Sequence, residues 1–431
     1  MCPSSTKRIL FGMHLKLLSC LAGAITPALI AMTGPVLAGG GVYKPTAQIT
    51  MPSGALVKSF DISHVDPTLG IYILGDRTSS AVDVFSTSTN QLIKQIGQGT
   101  FSGATPSNDN AGPDGVMITD HTKVWAGDGP SLLKIFDYNS GALLKSIATG
   151  GTTRVDEMCW DPDHKVIMAV NNAESPPFAT FVSSDTLAVL GKLTFTSATN
   201  GAEQCQYSSQ TGKFYMALPE VNGPGNNTAA GGVAVINPTT FAIEQTFTPP
   251  PASCRGPQGA ALGPNFQLAL NCNATPTSVI IDIRNGSLIA TLPSGTGEGD
   301  MVWYNPGDNR YIFTASNAGA RTPGFPQQRV AIVDNNASYS TQLIITSNLA
   351  ANGNHSVAAD PVKNQVYVPI SAGSNAGICS SVGGSDAQGC IAVFTNPDDT
   401  MCLAGGAPVI GVSPDSSTSF LRTLCLLHAV P

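Results

Sequence analysis

Charge is scarce in this chain: only 11% of its 431 residues are Asp, Glu, Lys or Arg, and no long Lys/Arg run occurs. With a formal charge of −7 at pH 7, nucleic acid and anionic membrane are not expected partners. No CxxC or Cys/His spacing of the zinc-ribbon kind is present, and no CxxCH, which disfavours a structural zinc and a covalently attached haem. GxSxG, GxxxxGK[ST], HExxH and a GxGxxG in a strand-to-helix context are also missing. Covalent serine catalysis, nucleotide hydrolysis and a Rossmann cofactor site are disfavoured accordingly. Glycine and proline, in contrast, are plentiful at 45 and 31 residues. Such a composition suits many short strands joined by tight turns better than long helices.

Residues 1–38 read as an export signal, with Lys7 and Arg8 ahead of an apolar run that ends at Val36-Leu37-Ala38. Cleavage is expected after Ala38. Pro27, Gly34 and Pro35 favour processing over a retained membrane anchor, and His14 and Lys16 suit a lipid-modified Cys20 poorly. Removal of the signal discards Cys2 and Cys20 and leaves an even set of cysteines. In an oxidising compartment the simplest pairing is local: Cys254 with Cys272, Cys379 with Cys390, Cys402 with Cys425, and Cys159 with Cys205 across two repeats. A periplasmic or secreted protein is expected, with no stable membrane insertion once the signal is gone.

The remaining chain repeats. An apolar strand, a turn and a second strand ending in a polar residue recur about every 42 to 55 residues, seven times, with third and fourth strands following. The copies open at Phe60 (FDISHVDPTLGIYILGD), Gly112 (GPDGVMITDHTKVWAGD), Asp156, Glu203, Gly256, Gly299 and His355 (HSVAADPVKNQVYVPIS). In four of them the turn is Asp-Pro or Asn-Pro: Asp66-Pro67, Asp161-Pro162, Asn305-Pro306 and Asp360-Pro361. Pro presets the turn, and the Asx side chain accepts backbone N–H groups. The pattern predicts an all-β fold, a seven-bladed β-propeller over residues 39–401. The seventh copy lacks a fourth strand, which the segment around Gln48 to Met51 is expected to supply, closing the ring and removing an open sheet edge. Residues 402–431 fall outside the repeat and read as a capping tail.

On these repeats the chain resembles the exported YVTN-type propellers, although the tetrapeptide itself is absent and VYVPIS and IYILGD are the nearest segments. GPDGV at Gly112 to Val116, together with the polar ends of the second strands, also resembles gluconolactonase/regucalcin-like propellers. That second resemblance implies one divalent metal at the channel, held by Glu, Asn and Asp, and lactone hydrolysis. The opening Glu-Gly-Pro segment of that family is missing.

Aligned on their turns, the copies place one residue each at the start of the innermost strand: Asp61, Asp114, Asp156, Glu203, Gln258, Asp300 and His355. In a propeller these gather at one mouth of the central channel. The second strands end on the same side, at Asp76, Asp128, Asn172, Glu220, Cys272, Asn317 and Ala372, with Glu157, Gln204, Glu298 and Ser356 beside the ring. Clustered carboxylates repel, so protons or a cation must be taken up. Oxygen ligands from Asp114, Asp156, Asn172, Glu203 and Asp300 suit Ca or Mg, and His355 would admit Mn, Fe or Zn. Such a metal could activate water, with Asp156, Glu203 or His355 in catalytic roles. Arg154, Arg255 and Arg321 sit near the mouth, either to bind a substrate carboxylate or to bridge to the acidic ring. His64, Trp160 and Trp303 read as packing residues between blades.

Two expectations result. One is a metal-dependent hydrolase or lyase, lactonase-like, acting on a small molecule. The other is a non-catalytic propeller that binds a ligand or protein, the polar residues being only the water-facing rim and turn caps that any propeller has. A monomer is expected in either case.

Overall fold

The structure is a computed structural model that describes residues 42–49, 51, 55–316, 324, 326–349 and 353–396. The expected signal segment, the tail with Cys402 and Cys425, and Asn317 and Arg321 lie outside the described residues.

The described residues form seven four-stranded antiparallel sheets, each built from strands consecutive in sequence except the last. Blade 1 runs from its innermost strand Ser63–Asp66 through Ile71–Asp76 and Ala81–Ser86 to Gln91–Ile96. Blades 2 to 6 repeat the plan from innermost strands Val116–Thr119, Met158–Asp161, Cys205–Ser208, Pro257–Leu262 and Val302–Asn305. Blade 7 has three consecutive strands, Ala358–Asp360, Gln365–Ile370 and Cys390–Thr395, and takes its outermost strand, Lys44–Ile49, from the other end of the chain. Ile49 pairs with Ile391 and Lys44 with Thr395. The closing strand thus begins earlier than the expected Gln48, because Tyr43 anchors it to blade 6. The Tyr43 backbone exchanges hydrogen bonds of 2.8 and 2.7 Å with the Gln342 amide, and its hydroxyl donates to Asp308.

The middle strands are apolar on both faces, as in IYIL and VIMAV, because each blade is sandwiched between two others. The outermost strands are largely half-buried or exposed; Gln91–Ile96 alternates for most of its length. The hydrophobic core is accordingly divided into seven clusters, each straddling two consecutive blades. Ile71 and Ile73 of blade 1 meet Val116 and Val124 of blade 2. Tyr367 and Ile391 of blade 7 meet Tyr72 and Leu74 of blade 1, which completes the circle. Each such side chain contributes roughly 1.5–3 kcal/mol by burial, so the ring is held by its blade-to-blade seams.

The Asx-Pro turns form as the sequence predicts. Asp66 Oδ1 accepts from the Thr68 and Leu69 N–H groups at 3.0 and 3.1 Å, and Asp161 Oδ1 from Asp163 and His164 at 2.8 and 3.0 Å. Three disulfides match the expected pairs, with Cα separations of 5.8 Å for Cys159–Cys205, 5.1 Å for Cys254–Cys272 and 5.7 Å for Cys379–Cys390. No helix among the described residues is long and apolar enough to cross a membrane.

Candidate functional site

The acidic ring is built by the short segments that enter the innermost strands. Each crosses close to the next blade. At Gly115 an added Cβ would collide with the Asp156 carbonyl oxygen, so glycine lets blades 2 and 3 approach and fixes where Asp156 sits. The Cys159–Cys205 disulfide joins the inner strands of blades 3 and 4 just beyond Asp156-Glu157 and Glu203-Gln204. It holds those acidic pairs at a fixed separation.

Asp61, Asp114, Asp156, Glu203, Asp300 and His355 come together, and the charges of these residues act on one another. Two arginines stand among them. The Arg77 guanidinium bridges Asp61 and Asp114, with Nε donating to Asp114 Oδ1 at 2.8 Å. Arg154 pairs with Asp156 Oδ2 at 2.8 Å, stands 3.6 Å from Asp61, and reaches Asn172 Oδ1 at 3.4 Å. Asn172 in turn donates through Nδ2 to Glu203 Oε2 at 3.3 Å. His355 stacks on Phe60 at 4.9 Å and places Nε2 3.2 Å from Asp61 Oδ1, while its Nδ1 is buried without a partner.

Burial and like charge push most of these acids upward. Burial, reinforced by Asp300 and Asp156, raises Glu203 to about 8, and burial with the Asp61 and Asp300 charges raises Asp156 to about 7 against the pull of Arg154. Glu157 and Asp114 are also raised, by burial first and then by neighbouring carboxylates, in Asp114 against the pull of Arg77. Asp61 is the exception: burial opposes its ionisation, but Arg77, the His355 hydrogen bond and Arg154 hold its carboxyl below the usual range. Glu203 and Asp300 are half-buried, and neither carries a salt bridge among the described residues.

The second-strand ends mostly serve the scaffold instead. Asp128 pairs with Lys134 at 2.6 Å and accepts from the Ser102 and Gly129 N–H groups. Glu220 gathers the N–H groups of Asn226, Thr228 and Ala229 at 3.1, 3.0 and 2.8 Å. Asp76 lies beside Asp83 and caps Thr78 at 2.8 Å. Of the second-strand ends, Asn172 joins the ring, and Asp128, which could have served as a second ligand beside it, does not. Among the described residues the Arg255 side chain reaches the Pro251 carbonyl, at 3.3 Å, and no acid of the ring. Glu298 forms a buried pair with Arg329 at 2.7 Å. Arg77, which the repeat alignment passes over, is central; its one signal is its place directly after the strand IYILGD.

Next to Glu203, the Gln204 side chain of blade 4 reaches past the inner strand of blade 5 to that of blade 6. Its Nε2 donates to the Val302 carbonyl of blade 6 at 3.1 Å, and its Oε1 accepts from the Ala260 and Val302 N–H groups at 2.9 and 3.2 Å. A cavity of 530 Å³, lined in part by Gln204, extends along the inner strands to the Asx-Pro turns. His64 lines this cavity and packs edge-on against Trp303 at 5.7 Å; burial lowers its pKa to about 4.

Fold and site together define a seven-bladed β-propeller with an acidic, arginine-braced channel mouth. Among solved structures the chain is similar to a chain of the crystal structure of the mitotic checkpoint complex, with a TM-score of 0.58 and 13% identity over 90% of this chain and 98% of that one. At that identity the likeness concerns the fold alone. No protein-family model matches the chain, and no curated protein matches it.

Proposed function

We propose that this protein is an exported binding propeller, akin to the YVTN type and monomeric, that holds a small cationic molecule at its acidic channel mouth. One observation carries the reading. Arg77 and Arg154 pair with Asp61, Asp114 and Asp156, whereas Glu203 and Asp300 remain half-buried and without a salt bridge among the described residues. The mouth therefore holds more carboxyl groups than its own cations neutralise, and an incoming positive charge relieves the repulsion that raises Glu203.

A divalent ion (Ca, Mg, Mn, Fe or Zn) fits less well. Asp114 and Asp156 are engaged by arginines, and among the described residues no three His, Cys, Asp or Glu side chains form a group that could hold a metal. An organic ammonium needs no such convergence, only carboxylate and amide oxygens on one side of it. The hydrolase or lyase reading retains one favourable feature: Glu203, raised to about 8, could give up a proton near neutral pH, and Asp156, raised to about 7, could receive one.

Calorimetric titration of the purified protein at pH 8.5 separates these readings. Saturable binding of a linear diamine, weakened at least tenfold in Glu203→Gln and Asp300→Asn, is the expected result. Stoichiometric bound metal that disappears in Asp156→Asn would replace it with the metal reading. Turnover of a lactone that is lost in Glu203→Gln would replace it with the hydrolytic one.

A further inference from the structure

The channel cavity continues from beside the acidic ring along the inner strands toward the Asx-Pro turns, and the proposed mouth site makes no use of it. Its volume, 530 Å³, lies in the range of small-molecule sites. Trp160, Trp303, Tyr207, Tyr304, Met117 and Met158 contribute to its wall. Trp160 comes from blade 3 and Trp303 from blade 6, so the two indoles stand on different sides of the channel. Among the described residues no lysine or arginine lines the cavity, whereas Asp66, Asp120 and Glu157 do.

Glu157 is the telling residue. It is only 5% exposed, yet it lines the cavity, and its side chain has neither a hydrogen bond nor a salt bridge to another described side chain. A carboxyl at a cavity wall with no charged partner of its own is available to a ligand that brings a positive charge. Asp66, in contrast, is engaged by its own turn and by His121 at 2.6 Å. Aromatic faces attract cations, the more so when water is excluded, and thioethers adapt to apolar bodies of varied shape.

We infer that this cavity is a second ligand site, entered from the turn face, for a small organic cation with an aromatic or apolar body. The charged group would lie toward Glu157 and Gln204, and the body between the indoles of Trp160 and Trp303.

Of the 3 tryptophans, Trp160 and Trp303 line the cavity while Trp125 is fully buried in a blade seam, so intrinsic fluorescence reports on the site. Titration of the full chain with benzyltrimethylammonium should change that fluorescence saturably. Benzyl alcohol, lacking the charge, should bind at least tenfold more weakly. Glu157→Gln should weaken the cation at least tenfold and bring it close to the alcohol, and Trp303→Leu should weaken both probes. Glu203→Gln, which touches Glu157 only through its charge, should change the cation's affinity much less than Glu157→Gln does and leave the alcohol's unchanged. The inference is overturned if the cation gives no saturable change, if its affinity survives in both Glu157→Gln and Trp303→Leu, or if Glu203→Gln alone removes it.

Discussion

Arg77 follows directly on the strand Ile71–Asp76 and is 3% exposed, with its guanidinium shared between Asp61 and Asp114. Breaking a buried pair leaves a charge without compensation, which costs about 3–5 kcal/mol. Arg77→Met should lower stability by that order in chemical denaturation, and Arg77→Lys, which cannot bridge two carboxylates in the same planar way, should recover only part of it. Glu203 makes the opposite kind of contribution. Its folded pKa of about 8 lies above the ordinary 4.5, so the folded state keeps a proton that the unfolded chain releases between those values. Stability therefore falls as pH rises through that window, and Asp156 adds a parallel fall from its ordinary 3.8 up to about 7. Denaturation midpoints should decline from pH 5 to pH 8, with a shallower decline in Glu203→Gln. The six acidic and His positions of the ring were legible from the repeat alone, since alignment on the turns puts one polar residue per blade at the same place. Arg77 was not, because a single basic residue after a strand looks like any surface loop residue until the ring is closed.

At the scale of the strand, the four Asx-Pro turns and the three described disulfides could be read from local chemistry. The roles of the second-strand ends could not. Those strands lie one strand spacing, about 4.8 Å, farther from the axis. A short side chain there finds a backbone N–H or a lysine before it finds the channel, as Asp128 finds Lys134 and Asp76 finds Thr78. Asn172 reaches inward because it stands just past the strand Val166–Asn171, on the turn that faces Arg154. Two predictions belong here. Replacing Cys159 and Cys205 together by Ser should cost about 2–4 kcal/mol and loosen the spacing of Asp156 and Glu203, weakening diamine binding as well as stability. Gly115→Ala should cost about 1–3 kcal/mol through overpacking against blade 3, with the largest increase in amide exchange in the segment that enters Met158–Asp161.

For the whole molecule, closure is the decisive property. Lys44–Ile49 completes blade 7 beside Cys390–Thr395, and the seam between blades 7 and 1 brings His355 to Asp61 from the other end of the repeat array. Deletion of residues 42–49 should expose the edge of Cys390–Thr395 and produce association through that edge, visible as an increase in mass by light scattering. The blade number and the closing strand were legible because seven similar units with one incomplete member admit few arrangements; the ligand was not, because loops and cavity walls carry no repeat. The central claim is that ring closure couples carboxyl groups far apart in the chain. It is tested most directly by following the Glu203 side-chain carboxyl by NMR across pH, alone and with Asp300→Asn. A midpoint near 8 that moves down in the variant is the predicted result. A midpoint near the ordinary 4.5 in both proteins would contradict the account.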